Sequence, residues 1–448
     1  MIEFIDLFAG LGGIRIGFTQ AAKELGLETR CVFTSEIKDA ALKALNHNFP
    51  GENIVKRDIT KVKSEEIPNF KILLGGFPCQ AFSFAGKQKG FLDTRGTLFF
   101  EIERILKDHL NNVDGFLLEN VEGLLKHDLE NKNDEIGKTL TVILNVLHHL
   151  GYNTKYVLLN ASDFGIPQNR KRVYIVGCKQ RFGEIDLVFQ NPKTSTVGEC
   201  LEHGLPLLET NFTNLLLSHY KAEKLQGKFL KDKRGGDLNI HSWDFDYKGK
   251  ISQEQKNLLN KLFKQRRRKA WAPIIGIDWM DGMPLTCEQI KTFCDIPNLR
   301  EKLDDLVAKK YLVLEHPKKK VKTTIDGRSY SERVYDETKP KGYNIVTGKL
   351  SFPISHILDN DGLAPTIVAM DMNCLGVIDG DGIRRLTLRE GLRLFGYPED
   401  YSLEIFNKDL RQIRLGYDLL GNSVCVPVIK AIAMRLLNQI YIEKHEQN

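Results

Sequence analysis

The sequence predicts an α/β fold built on a doubly wound, mostly parallel sheet. Three observations carry that reading. Short apolar runs alternate with stretches of helical spacing from the N-terminus to about Lys179. A glycine-rich turn, Gly10, Gly12 and Gly13, follows the first run. Successive runs then close on Glu36, Asp58, Cys79 and Glu119. The carboxyl ends of strands are where open α/β sheets gather their ligands.

The elements follow in order. Phe4–Phe8 is a first buried strand, Ala9–Gly13 a turn, and Ile14 to about Leu25 a helix with apolar Ile14, Phe18, Ala21, Ala22 and Leu25 on one face. The glycines depart from the GxGxxG spacing of a plain dinucleotide site. Cys31–Ser35 is a second strand closed by Glu36, an acid placed to accept hydrogen bonds from a ribose, or else a surface acid opening the next helix. Ile54–Ile59 reads as a third strand carrying Asp58, and Lys71–Leu74 as a fourth that ends in Gly75-Gly76-Phe77-Pro78-Cys79-Gln80. A thiol on a rigid Pro-Cys step at that edge is a nucleophile or a buried structural cysteine. The polar loop after it, with Ser83, Lys87, Lys89 and Arg95, is long for a simple connection. Gly115–Val121 is a further strand and sets Glu119 at the same edge. Arg170 and Arg172, two residues apart, point to one side of an extended chain.

From about 180 to 361 the alternation stops and charge and turns increase, which reads as an inserted second domain between 1–179 and a return at 362–448. Within it, Ser252 and Gln255 stand at capping-box spacing. Arg266-Arg267-Arg268-Lys269 beside Trp271 suits a nucleic-acid backbone, or a helix C-terminus. Two helical stretches, Thr286–Cys294 and Asn298–Lys310, a strand at 311–314 and a lysine-rich run resemble a winged helix-turn-helix.

Composition sets bounds. The chain has 448 residues, a net charge of +6 and eight scattered cysteines without a CxxC pair. No metal-ligand spacing, secretory leader or membrane-length apolar run is evident, so a reducing cytoplasm and no membrane partner are expected. The mild excess of cations suits a polyanion without requiring one.

Taken together, Asp6–Gly13, Pro78-Cys79-Gln80, Glu119-Asn120-Val121, Gln168–Arg172, Arg389-Glu390 and Gly421-Asn422-Ser423-Val424 occur in one order. In that order the chain resembles the DNA (cytosine-5) methyltransferases of bacterial restriction–modification systems and phages. The resemblance implies an S-adenosylmethionine-dependent methyltransferase sheet with an inserted target-recognition domain. It implies that Phe8, Ala9, Gly10, Leu11, Gly12, Gly13, Glu36, Ile37, Asp58, Ile59, Pro78, Leu98, Asn422, Ser423 and Val424 line the cofactor pocket. Cys79 is then the nucleophile toward C6 of a flipped cytosine, Glu119, Arg170 and Arg172 meet the base and the Cys79 loop, and Asn120 holds the Pro78-Cys79 turn. Ser83, Lys87, Lys89 and Arg95 become DNA contacts, and no metal is needed. The implied partner is double-stranded DNA, shared with a cognate restriction endonuclease that acts on the same site without touching the enzyme. The implied protein is a monomer working in the bacterial cytoplasm at the nucleoid. Two rivals stand beside this reading, an RNA cytosine-5 methyltransferase and a non-catalytic DNA-binding module.

Overall fold

The computed structural model describes residues 1–448 apart from 53, 79–96, 130, 132, 190–193, 234–235, 326–327, 347–351, 370 and 444–448, and the backbone alone at 97, 322–325 and 328–330. The chain divides into two compact units. The first is Met1–Glu202 with Asp359–Asn373 and Leu386–Asn448, and the second is His203–Leu358 with Cys374–Arg385.

The first unit opens with β1 (Ile2–Leu7), α1 (Gly13–Glu24), β2 (Thr29–Ser35), α2 (Asp39–Asn48), β3 (Ile72–Gly76), α3 (Thr97–Asp108), β4 (Gly115–Val121), α4 (Lys138–His149), β5 (Tyr152–Asn160) and β6 (Lys171–Lys179). These six strands form one sheet in the order β2-β1-β3-β4-β6-β5. The first four are parallel, whereas β6 runs antiparallel to both β4 and β5. The central strands read as continuous apolar runs because both faces are covered, and Ile72, Leu73, Leu74, Phe116, Leu117 and Leu118 are all fully buried. Phe99, Ile102 and Ile105 of α3 and Leu140, Ile143 and Leu147 of α4 pack onto Leu73, Phe116 and Leu118 in one core.

One expected strand is not there. Residues 54 and 55–58 have no regular pairing, and the segment is tied to β2 through Arg57 N–H to the Glu36 carbonyl at 2.9 Å and Ser35 Oγ to the Arg57 carbonyl at 3.1 Å. Ile54 and Ile59 are buried, but Val55 is exposed, so the apolar side chains anchor a crossing segment rather than one sheet face.

The second unit carries α5 (Asn211–His219), β7 (Phe229–Leu230), β8 (Asn239–Ile240), α6 (Gln253–Gln265), α7 (Trp271–Ile275), α8 (Cys287–Lys291), α9 (Leu299–Ala308), β9 (Leu312–Glu315), β10 (Lys318–Ile325), β11 (Arg328–Tyr335), β12 (Gly342–Ile345), β13 (His356–Ile357), β14 (Leu375–Asp379) and β15 (Gly382–Arg385). It contains a five-stranded sheet, β15-β14-β13-β7-β8, and two two-stranded ones, β12-β9 and β10-β11. Helix α6 begins at the capping box expected from sequence: Ser252 Oγ accepts the Gln255 N–H at 3.2 Å, and Gln255 Oε1 accepts the Ser252 N–H at 3.0 Å. Trp271 lies against the core of this unit rather than standing free.

The first unit is completed by α10 (Leu388–Arg393), α11 (Leu410–Gly421) and α12 (Val426–Leu437). The stretch Leu410–Ile442 is long and apolar enough to cross a membrane by composition, but 67% of its most apolar window is buried in the protein. It is a core element: Gly17 of α1 lets the helices meet so closely that a Cβ there would stand 2.7 Å from Ile429.

Candidate active site

The site begins where β1 ends. Phe8 takes the left-handed conformation, φ 56°, which a bulky residue adopts only when its surroundings impose it. Gly10 and Gly12 continue the left-handed turn, and Gly12 caps α1. Among the described residues a Cβ on Gly10 would meet nothing nearer than the Phe8 carbonyl oxygen at 4.0 Å, so the turn is open to them on that side. Gly13 is the opposite case. A Cβ there would stand 2.6 Å from Tyr397 Oη and 2.8 Å from a Val424 methyl. Ala9 and Leu11 are buried beneath the turn.

Glu36 closes β2 and turns its carboxylate back on the glycines. Oε2 accepts the Gly10 N–H at 2.8 Å, and Oε1 accepts the Ile37 and Lys38 N–H groups at 2.7 and 2.8 Å. Ile37 beside it is 56% exposed, a large apolar side chain at the rim of the cradle. Asp58 accepts the Thr60 N–H and hydroxyl, and these bonds hold its carboxyl below the usual range. Ile59 is buried in the main core, Leu98 packs half-buried on it, and Ser423 and Val424 are buried behind the glycine turn. Asn422 is exposed and bonds its own helix through the Asp418 carbonyl.

The second half of the site sits two strands over. Gly76 of β3 is paired with Glu119 of β4, and a Cβ on Gly76 would lie 3.5 Å from Glu119 Oε2. Asn120 Nδ2 donates to the Phe77 carbonyl at 2.9 Å and so fixes the exit of β3. Pro78 follows, exposed. Cys79, Ser83, Lys87, Lys89 and Arg95 lie outside the described residues. Arg172, carried by β6, meets Glu119 with Nε at 3.1 Å from Oε1, both side chains nearly buried. Burial pushes the Glu119 carboxyl up, and the nearby charges of Arg172 and then Arg170 pull it back only partly. The arrangement is a carboxyl that holds a proton readily, a guanidinium beside it, and a glycine that leaves room above them.

Arg170 does not share that face. It precedes β6, so the two-residue periodicity of a strand does not apply to it. Its guanidinium is 3% exposed and donates to the carbonyls of Ile367 at 2.8 Å, Gly421 at 3.4 Å and Ser423 at 2.5 Å. It also packs on the Phe395 ring. Arg170 is a staple between the sheet and the returning chain, and the expectation that it meets the base is corrected accordingly.

Other residues escaped the sequence reading. Tyr401 Oη donates to the Leu11 carbonyl at 2.8 Å, and Tyr397 Oη shares a 2.6 Å hydrogen bond with Ser423 Oγ. Gln168 Nε2 donates to the Leu394 carbonyl at 2.9 Å and its Oε1 accepts the Ile367 N–H at 3.1 Å. The only local signal was Gly396-Tyr397-Pro398, which reads as a helix stop.

Comparison with known proteins places this geometry. The chain is 54% identical over 439 residues to the type II methyltransferase M.NlaIV of Neisseria lactamica, covering 98% of this chain and 99% of that protein. It is 40% identical to M.HgiCI of Herpetosiphon aurantiacus, covering 97% and 98%. Among solved structures it is similar in fold to a prophage-encoded DNA modification methyltransferase of E. coli, with a TM-score of 0.52 and 21% identity over 98% of this chain and 99% of that one. It is similar in the same way to Spodoptera frugiperda DNMT2, with a TM-score of 0.51 and 18% identity over 98% and 100%. The model of the C-5 cytosine-specific DNA methylases matches residues 2–438, and the chain belongs to that family.

Proposed function

We propose that this protein methylates C5 of a cytosine in a specific duplex DNA sequence, with S-adenosylmethionine as donor, within a restriction–modification system of a bacterial cytoplasm. The observation that carries the reading is the Glu119–Arg172 pair, 3.1 Å apart and nearly buried, directly across from the glycine at which β3 runs into Phe77-Pro78.

The cofactor's residues fit. The open side of Gly10, the backward-turned Glu36, the strained Phe8 and the exposed Ile37 form a cradle with polar groups on one wall and apolar ones on the other. Glu36 retains lone pairs for ribose hydroxyls, Asp58 and Ile59 stand at the adenine end, and Ser423 and Val424 back the glycine turn. When bound, S-adenosylmethionine supplies an electrophilic methyl group.

The chain's own residues make the base able to accept it. C5 of cytosine is a weak nucleophile. Cys79, following Pro78 at this edge, forms a bond from sulfur to C6, and the displaced ring electrons are taken up toward N3. Glu119, its carboxyl raised by burial, donates a hydrogen bond there, and Arg172 fixes its orientation. The ring is then an enamine with a nucleophilic C5. After C5 has gained its methyl group, loss of the C5 proton expels Cys79 and restores the double bond. The reacting atoms are buried in a duplex, so the base is flipped out. The second unit is the target-recognition domain that grips the DNA.

Wild type and Cys79→Ser, expressed in a host without cytosine methylation, test this by bisulfite sequencing. Protection at one recurring motif with wild type alone is expected. Unprotected DNA from soluble wild type that binds S-adenosylmethionine would refute the reading.

A further inference from the structure

The second unit carries a cation-rich two-stranded ribbon beyond the helices of its helix-turn-helix-like stretch. Around the core made by Leu258, Leu262, Ile290, Leu303, Leu306 and Leu312, helices α6, α8 and α9 precede β9, which pairs with β12, while Leu285 bridges Tyr343 of the same strand. Between β9 and β12 the chain runs out and back as β10 and β11. These strands pair with each other over eight residues each, and with no other strand among the described residues. At about 3.4 Å per residue the ribbon is about 27 Å long.

An isolated two-stranded ribbon is marginal in water. The base of this one is tied down by Asp336 N–H to the Pro317 carbonyl at 2.8 Å, by the Tyr335 hydroxyl to Glu315 Oε2 at 2.9 Å and by Arg333 Nη2 to the Trp279 carbonyl at 2.9 Å. From Lys318 to Tyr335 the sequence has six cations and two acids. Trp279 is 43% exposed yet held at both ends: its indole N–H donates to the Arg267 carbonyl at 3.0 Å and its own carbonyl takes the Arg333 bond. The Lys269 ammonium stands 5.9 Å over its ring. A held, solvent-facing aromatic with a cation over its ring is what stacking on or wedging beside bases requires.

Helix α9 has the opposite character. It carries three acids against two cations, Arg300 is paired with Glu288, and Lys302 is paired with Glu254. Facing phosphates, it would repel them.

We propose that the β10–β11 ribbon, with Trp279 at its base, is the element that enters a groove of the target duplex, and that α9 stays outside it. A major groove admits a two-stranded ribbon as readily as a helix. This rests on the reading of the chain as a DNA methyltransferase. The competing explanation is that the lysines merely guard an unpaired strand edge against aggregation.

The test uses the full chain and fluorescence anisotropy with the duplex found protected by bisulfite sequencing and with an unrelated duplex, across a salt series. Lys320→Ala with Lys322→Ala should lower the slope of log affinity against log salt by about 1.8, at about 0.9 per phosphate contact. Trp279→Ala should weaken target binding about tenfold or more, and Arg300→Ala should leave it unchanged. Cofactor binding by calorimetry should be the same in all variants, which shows that the fold is intact. Unchanged slope and affinity in the ribbon and tryptophan variants would overturn the proposal, as would a loss confined to Arg300→Ala. Wild type that methylates and binds DNA while the ribbon variants behave like it sinks this inference alone. Wild type that binds no duplex sinks the functional reading with it.

Discussion

Asp6 is the most exacting test of the electrostatics behind the glycine turn. It lies near the end of β1, is 1% exposed, and neither carboxyl oxygen has a hydrogen-bond partner among the described residues. Burial pushes its pKa from 3.8 up to about 7, Arg15 opposes this, and Glu36 and Glu52 add to it. A carboxyl that binds its proton more tightly in the folded state makes folding weaken as pH rises. The loss begins at the unfolded pKa and is complete above the folded one. With these two values the penalty is about 1.7 kcal/mol at pH 5 and about 4.3 kcal/mol at pH 8. Asp6→Asn keeps the shape and removes the titration, so its stability relative to wild type should grow by about 2.5 kcal/mol between pH 5 and pH 8. Urea unfolding of both proteins without cofactor, at half-unit pH steps, reads this directly. Any constant offset from the new amide cancels in the difference. Parallel curves for the two proteins would show that Asp6 is ionised in the folded state and that the turn is not built over a neutral acid.

Glu119→Gln should lower kcat by about 10² to 10³, the usual loss for a preorganised donor. Wild-type activity should also fall as pH rises through the raised Glu119 pKa, while the residual activity of the variant stays flat. Arg170→Ala should destabilise the protein by about 3 kcal/mol or more in denaturant unfolding, because buried carbonyls lose a charged donor. Arg172→Ala should lose turnover in a methylation assay while calorimetric binding of S-adenosylmethionine stays as in wild type, because Arg172 pairs with Glu119 and not with the glycine turn. Tyr401→Phe leaves the Leu11 carbonyl without its donor, a change of about 1 kcal/mol. It should raise KM for S-adenosylmethionine about fivefold with kcat nearly unchanged, which initial-rate kinetics separate.

What was legible in the sequence was what is locally determined. β1, the glycine turn and α1 follow from an apolar run, three glycines and a helical face, and all three are present. The exit of β3 was legible because Phe-Pro stops the strand just past its two glycines, and β4 because Gly115–Val121 reads as one run that carries Glu119 near its end. The failures share a cause. Ile54–Ile59 has the composition of a strand, but whether it pairs depends on the edge offered to it, and β2 offers only its terminal carbonyl and a serine hydroxyl. Arg170 was assigned by a periodicity that begins one residue later, and its acceptors lie about 200 and 250 positions away in the chain. Trp271 stands two residues past the basic run and Trp279 ten, so the sequence points to the nearer one. Trp271 faces Phe293 in the core, and Trp279 is the one left in solvent.

The long-range partners also explain why the first unit needs the returning chain at all. A left-handed turn at a ligand site leaves backbone groups that cannot join a sheet or a helix, and buried ones must find partners. Glu36 serves the Gly10 N–H from within the first segment. The Leu11 carbonyl has no such neighbour there and is served by Tyr401, some 390 residues on. The wall behind Gly13 is likewise made by Tyr397 and Val424, and these are held in place by Ser423 and, through its carbonyl, by Arg170. The segment from Leu394 to Val424 is therefore part of the glycine turn's own frame rather than a tail packed on a finished domain. Glu119 and Arg172 share a sheet with that turn and are linked to the same carbonyls by the short step from Arg172 to Arg170. A change at Arg170, Tyr397 or Tyr401 therefore reaches the frame of the glycine turn first.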